Sequence, residues 1–361
     1  KNSSKNAYNS ETNKLLFATD GTIVSMLMKD PELKDFGAVI IDEAHERKVQ
    51  IDFLLYLLRN TVKLRSDFKL IIMSATIDSS IFKSYFKEYK FNVVDVGGAR
   101  TFPIEDIWLE QPISSKEYLE KGYEIIKNIS KSDKEGDIIF FVPSVNETMT
   151  ICKNIERDKL DIYCVEVYAD MNVEKKEIAI DKDKYKTSGK NRKLIVSTNV
   201  GESSITFENL KFVIDSGYEL KSYFDPVISA KVLDKELITQ GQAKQRCGRS
   251  GRTSDGICYH LYTKNEFDTM KTFPEPAIRT SNIYQECLKL LNYPQVKTLD
   301  KLLKVLKEFI EPPKSKYIET AVEQLKELRL VDDIGITKYG SMIADMQIEP
   351  RLSIAVNAGK Q

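Results

Sequence analysis

The 361-residue chain carries 54 basic and 54 acidic side chains, so its formal net charge is zero. That excludes a protein held to nucleic acid by one large uncompensated basic surface, though a local basic channel stays possible. Its 42% hydrophobic and 30% charged content is ordinary for a globular protein. The absence of any run of about 18 apolar residues argues against a membrane span, and the length predicts two or three domains at roughly 100–200 residues each.

Residues 1–13 are polar and lack the apolar core of a signal peptide. The first residue is Lys rather than Met, from which we expect a cut or incomplete N-terminus. The five cysteines, Cys152, Cys164, Cys247, Cys258 and Cys287, are scattered and form no CxxC pair. They read as reduced thiols in a reducing compartment rather than as zinc ligands. Only His45 and His260 are present, which also argues against a metal cluster. Only 12 of the 54 basic residues are Arg, yet Arg246, Arg249 and Arg252 fall within seven positions.

In chain order, residues 14–18 form a short apolar run. Residues 37–42 and 69–74 read as strands buried on both faces, because their apolar runs are continuous. Residues 49–64 have helical spacing, with Phe53, Leu54, Leu57 and Leu58 on one side. Residues 77–86 are helical again, and 92–96 a further strand. Such alternation predicts a parallel sheet. After a linker at 97–103 the pattern repeats: helices at 116–130 and 145–157, and strands at 137–142, 161–168, 193–198, 212–215 and 256–262. From about residue 279 the chain turns helical and polar, at 283–291, 299–309 and 318–328. A short turn-flanked piece at 335–340 and residues 341–345 then suit a winged helix.

Asp42-Glu43-Ala44-His45 follows directly on a predicted strand, and ligands of open α/β sheets bind at the carboxyl ends of strands. Asp42 there can hold Mg²⁺ through water, and Glu43 can polarise an attacking water. Alone, such a pair is often just a solvated helix start. Ser74-Ala75-Thr76 ends the next strand and suits either a helix cap or a phosphate-sensing switch. Arg249 and Arg252 are three apart and on a helix would share a face, able to grip γ-phosphate oxygens. Gly248 and Gly251 would weaken a plain solvated helix. Residues 197–206 cluster hydroxyls and amides that can donate to a sugar-phosphate backbone.

Taken together, these segments resemble the DEAH/RHA family of superfamily 2 helicases. Residues 42–45 match its motif II, Ser74–Thr76 motif III, 140–144 motif IV, 197–206 motif V and 245–252 motif VI. In motif V, Gly201 stands for a usual Ala and Ser203 for a usual Thr. Thr19-Asp20-Gly21 resembles motif Ib, and Arg100-Thr101 the family's hook-turn. Pro274-Glu275, Arg279 and Thr280 resemble the start of a winged-helix domain.

The resemblance implies a fold of two tandem RecA-like parallel-sheet domains, the first N-terminally truncated, followed by a winged helix. The implied boundaries are 1–102, 103–278 and 279–346, with 347–361 beginning a ratchet-like helical domain. It implies ATP or another NTP with Mg²⁺ as cofactors, Asp42 and Glu43 holding the metal and Glu43 activating water. His45 would couple to Gln245, Ser74 and Thr76 would link hydrolysis to RNA, and Arg249 and Arg252 would be arginine fingers. Asp215 and Gly201 would contact nucleotide. Thr19, Asp20, Gly21, Arg100, Thr101, Thr198, Asn199 and Ser203 would follow the RNA backbone, and residues 224–240 would form a strand-separating β-hairpin. The implied activity is 3′-to-5′ translocation on single-stranded RNA by an intracellular monomer of cytoplasm or nucleus, with a protein activator on the winged-helix side.

No GxxxxGK[ST] phosphate loop occurs in the sequence. We therefore expect this chain alone to hydrolyse ATP weakly. Two other readings are a non-catalytic RNA-binding adaptor descended from a helicase and a DNA helicase. Intact Glu43 and Arg252 argue against the adaptor.

Overall fold

The computed structural model describes residues 14–74, 79–95, 102–181, 183–202, 207–252, 254–346 and 348–359. The chain divides into two compact units, which are described separately. The first combines residues 1–94, 223–232 and 275–361, and the second residues 95–222 and 233–274.

In the first unit, α1 (Asp20–Lys29) precedes β1 (Ala38–Ile41), α2 (Val49–Leu64), β2 (Lys69–Ile72) and α3 (Ser79–Tyr85). β1 and β2 pair in parallel, Ala38 opposite Lys69 and Ile41 opposite Ile72. Neither strand is buried on both faces as the apolar runs suggest: Ile40 is 54% and Ile71 46% exposed. Among the described residues each strand pairs only with the other. Among the described residues, 15–18 and 92–95 lie in no strand.

α2 is buried on nearly all sides, from Ile51 to Leu58. Its Tyr56 ring stacks on Phe309, centroids 5.0 Å apart. Phe309 follows α10 (Leu299–Lys307), which lies with α9 (Tyr284–Asn292), α11 (Ser315–Glu327) and α12 (Lys338–Asp345) in the same core as α2. Two antiparallel bridges, Val331 with Ile336 and Thr298 with Gly335, close the loop between α11 and α12 and join it to the start of α10. α13 (Pro350–Ala358) ends the described chain.

The second unit is built on one six-stranded, all-parallel sheet. It uses β3 (Ile104–Leu109), β4 (Asp137–Phe141), β5 (Ile162–Val167), β6 (Arg192–Ser197), β7 (Leu210–Asp215) and β10 (Gly256–Thr263) in the order β3-β10-β7-β4-β6-β5. Helices α4 (Tyr118–Ser130), α5 (Val145–Arg157), α6 (Val173–Ile180) and α7 (Gln240–Cys247) accompany it, and α8 (Lys264–Thr269) follows β10. Alternation along β4 sends Ile138 and Phe140 to one core and Ile139 and Phe141 to the other. Both faces are thus buried, which is why these strands read as unbroken apolar runs.

Three expectations need correction here. Cys152 on α5 and Cys164 on β5 are joined in a disulfide, Cα atoms 5.4 Å apart, rather than standing as separate thiols. Cys152 lies on the buried side of α5, which packs against β5. The hairpin is β8 (Tyr218–Asp225) with β9 (Ala230–Leu237), so it begins before residue 224 and is over before Gln240, where α7 starts. Its tip, 223–232, clusters with the first unit, where the Phe224 N–H donates to the Thr280 carbonyl at 2.8 Å. Finally, α7 stops at Cys247, so Arg249 and Arg252 do not share a helix face. Gly251 at φ +71° turns the chain away, and a Cβ there would press on Ile104.

Candidate functional site

In the first unit, Asp42 follows β1 and is exposed, and Glu43 is half-buried. Asp42 Oδ1 accepts from the Glu43 N–H at 2.8 Å. Glu43 is left-handed (φ +53°, ψ +38°), as is Arg47 (φ +43°). A non-glycine residue in that region costs on the order of 1–3 kcal/mol, and such strain gathers at active sites. The turn between them carries His45, whose Nδ1 lies 3.1 Å from Ser74 Oγ just past β2. Its Nε2 lies 3.5 Å from Glu43 Oε2 without a hydrogen bond, so the Nδ1 contact with Ser74 is what links the two strand ends.

Arg47 closes the turn. It is buried, with Nε 2.6 Å from Asp52 Oδ1 and Nη1 2.8 Å from Glu311 Oε2. Burial works against its charge, but Asp52 and Glu311 outweigh that and hold its pKa above the ordinary value. Asp42 and Glu43 fit Mg²⁺ in donor chemistry, since both offer hard carboxylate oxygens that are not buried. When bound, such an ion polarises phosphate oxygens and neutralises developing charge.

Thr19 and Gly21 flank Asp20 at the start of α1. Thr19 is the exposed N-cap, with its Oγ1 2.9 Å from Thr22 Oγ1. A Cβ on Gly21 would meet nothing within 4 Å, so the first turn is open. Helix N-termini of this kind suit phosphate groups. Thr76, Arg100, Thr101 and Ser203 lie outside the described residues.

In the second unit, Thr198, Asn199, Gly201 and Asp215 stand at the carboxyl edge of the sheet, after β6 and at the end of β7. Asn199 is exposed, whereas Thr198 is buried. Gly201 is small for an internal reason. Its N–H donates to Ser197 Oγ at 3.1 Å, and a Cβ would strike that hydroxyl.

Asp215 is fully buried and engaged on both oxygens, so it presents no surface to a nucleotide here. Oδ1 accepts from Arg246 Nη1 at 2.8 Å and the Gly217 N–H at 3.0 Å, and Oδ2 from the Tyr262 hydroxyl at 2.7 Å. Arg246, 1% exposed, also gives its Nε to Glu202 Oε2 at 3.1 Å and lies over the Phe141 ring. Glu202 in turn offers its main-chain oxygen to Arg249 Nη2. Burial outweighs Arg246 and pushes Glu202 up to about 7. The result is a fixed base for the turn after α7: Arg249 is held and buried, Gln245 is half-buried on α7, and Arg252 reaches solvent.

Sequence reasoning assigned no role to Arg246, Glu202, Tyr262 or Arg47. The one available hint was Arg246 itself, a third arginine in a segment whose chemistry needs two.

Two family models match the sequence. The one described as DEAD/DEAH box helicase covers residues 1–84, and the one described as Helicase conserved C-terminal domain covers 120–254, together more than half of the chain. Protein L540 of Acanthamoeba polyphaga mimivirus is 39% identical over 95% of this chain and 50% of its own length. Pre-mRNA-splicing factor ATP-dependent RNA helicase prp22 of Schizosaccharomyces pombe is 33% identical over 95% of this chain and 29% of its own. The crystal structure of the Escherichia coli DEAH/RHA helicase HrpB matches with a TM-score of 0.75 at 25% identity, over 92% of this chain and 41% of that one. The chain spans half or less of the length of these relatives. No described helix is long and apolar enough to cross a membrane. With the DEAH turn after β1 and the arginine turn after α7 both in place, the chain belongs to the DEAH/RHA helicases of superfamily 2.

Proposed function

We propose that this chain is the motor portion of an ATP-dependent RNA helicase that couples NTP hydrolysis to 3′-to-5′ movement along single-stranded RNA. The observation that carries the reading is the strained turn 43–47. It holds Glu43 left-handed beside an exposed Asp42 and sets His45 against Ser74, a costly backbone arrangement for a non-glycine residue. Asp42 and Glu43 hold Mg²⁺, and Glu43 takes a proton from the attacking water. Arg249 and Arg252 neutralise charge on the departing phosphate, and Gln245 relays the nucleotide state to His45. Thr19 to Gly21, Thr198 and Asn199 follow the RNA backbone. The parent protein works as an intracellular monomer, and an activator docks on the winged-helix region around 279–346.

The test is Glu43→Gln in the full-length protein. RNA-stimulated NTP hydrolysis should fall roughly 10²- to 10⁴-fold, as expected for a lost general base, with RNA binding retained. Undiminished hydrolysis removes Glu43 from that role. The 361-residue chain alone, lacking GxxxxGK[ST], should turn over NTP weakly, and robust RNA-stimulated turnover by it overturns that part.

A further inference from the structure

Behind the arginine turn, the second unit gathers four groups with metal-ligand chemistry. Asp106 on β3 stands opposite Cys258 on β10, and His260 follows two residues later on the same face. Cys247, the last residue of α7, comes down on that face. One donor atom from each lies within 4.8 Å of all the others. Sequence spacing does not reveal this grouping, because its members come from three elements.

Hydrogen-bond direction makes the cluster informative. The Tyr262 hydroxyl donates to Asp215 Oδ2, so it must accept from His260 Nδ1, 3.0 Å away. With the ring proton on Nδ1, a neutral His260 turns the bare lone pair of Nε2 toward Asp106 Oδ1 at 2.8 Å. The Cys247 thiol donates to the same oxygen at 3.4 Å, and Cys258 Sγ lies 4.0 Å from His260 Nδ1. A ring nitrogen, a carboxylate oxygen and two thiol sulfurs thus lie close enough together for one ion to take the place of the thiol protons.

We propose that Cys247 Sγ, Cys258 Sγ, His260 Nε2 and Asp106 Oδ1 form a tetrahedral site for a zinc-class divalent cation. Two thiolates, an imidazole and a carboxylate are ligands that Zn²⁺ accepts in four-coordinate sites. Donors already within 4.8 Å need only short movements to close on an ion. Binding replaces the two thiol protons, which leave to solvent. The second shell is present as well. His260 Nδ1 donates to Tyr262, which is anchored by Asp215, and Trp108 stacks on the imidazole at 3.8 Å. Three ligands are buried, and Asp106, 46% exposed, opens the way in. The ion clasps the end of α7 to β10 and β3, and so steadies the segment that carries Arg246 and Arg249.

The experiment is titration of the reduced, metal-free 361-residue chain with Co²⁺. Expected are a saturable thiolate-to-cobalt charge-transfer band and tetrahedral d–d bands at one equivalent, reversed by one equivalent of Zn²⁺. Because Trp108 is the single tryptophan, its fluorescence should be quenched in parallel. Cys258→Ser or Cys247→Ala should abolish the charge-transfer signal, and Tyr262→Phe should weaken binding roughly 10- to 100-fold. If the wild-type chain shows no saturable cobalt signal, the pocket holds a proton instead, an imidazolium paired with Asp106, and the proposal fails. Signal that survives both cysteine variants, or that leaves Trp108 fluorescence untouched, places the sulfur ligands elsewhere and also overturns it. The wild-type titration decides even if a variant does not fold.

Discussion

The two units present their reactive groups in opposite ways. In the first, Asp42, Glu43 and His45 ride on a strained turn at the end of a two-stranded pair whose Ile40 and Ile71 remain exposed. In the second, buried Arg249 and exposed Arg252 sit on a turn anchored by buried charges at the carboxyl edge of a six-stranded sheet. The acidic half spends backbone strain to set its geometry. The basic half spends desolvation, keeping Arg246, Asp215 and Glu202 out of water so that the next arginines need not search for their place. Residues of the first kind should be replaceable with little loss of fold. Residues of the second should separate into an exposed tip that acts and a buried base that positions.

The sharpest way to break that contrast lies within one segment. In the full-length protein, Arg252→Ala should lower RNA-stimulated hydrolysis by about 10³-fold or more, as for loss of an arginine finger. Its effect on stability should stay within about 0.5 kcal/mol, since Arg252 is exposed. Arg246→Ala should do the reverse first. It leaves two carboxylates buried without their guanidinium, at a cost of about 3–5 kcal/mol. Trp108 reports the second unit alone, so urea unfolding followed by its fluorescence measures this. Equal unfolding midpoints for the two variants would erase the distinction between tip and base.

The same contrast governs what could be read from the sequence. Asp42–His45 was legible because its meaning is local, a strand followed at once by an acidic pair. α2 and α5 span the residues that their apolar spacing predicts, because long periodic helices carry redundant signal. β3 was missed. It is an edge strand whose Glu105 and Asp106 break the apolar run, and Asp106 there faces a histidine 154 residues away. The base under Arg246 was equally hidden, since its partners stand 44 and 31 residues earlier. Spacing alone would make Arg249 and Arg252 neighbours on a helix face, although Gly248 and Gly251 already count against a plain helix there. In the structure Gly251 instead serves the turn and its close approach to Ile104.

The smallest expected effect tests the charge balance of that base. Glu202 and Asp215 share the guanidinium of Arg246, the like charge of Glu219 pushes Glu202 up further, and Arg249 meets Glu202 through the main-chain oxygen. Asp215 receives Arg246, Tyr262 and the Gly217 N–H, so the weaker-held Glu202 takes up the proton, its pKa pushed by burial from 4.5 to about 7. The folded state therefore keeps a proton that the unfolded chain releases between these values. Stability of the second unit should fall as pH rises from about 4.5 to about 7, and level off above, by about 3 kcal/mol at most. Glu202→Gln is neutral at every pH, so it should flatten the slope in Trp108-monitored unfolding at pH 5, 6, 7 and 8. A Gln variant with an unchanged slope would assign the proton to another group and leave Glu202 as a plain ion-pair partner of Arg246.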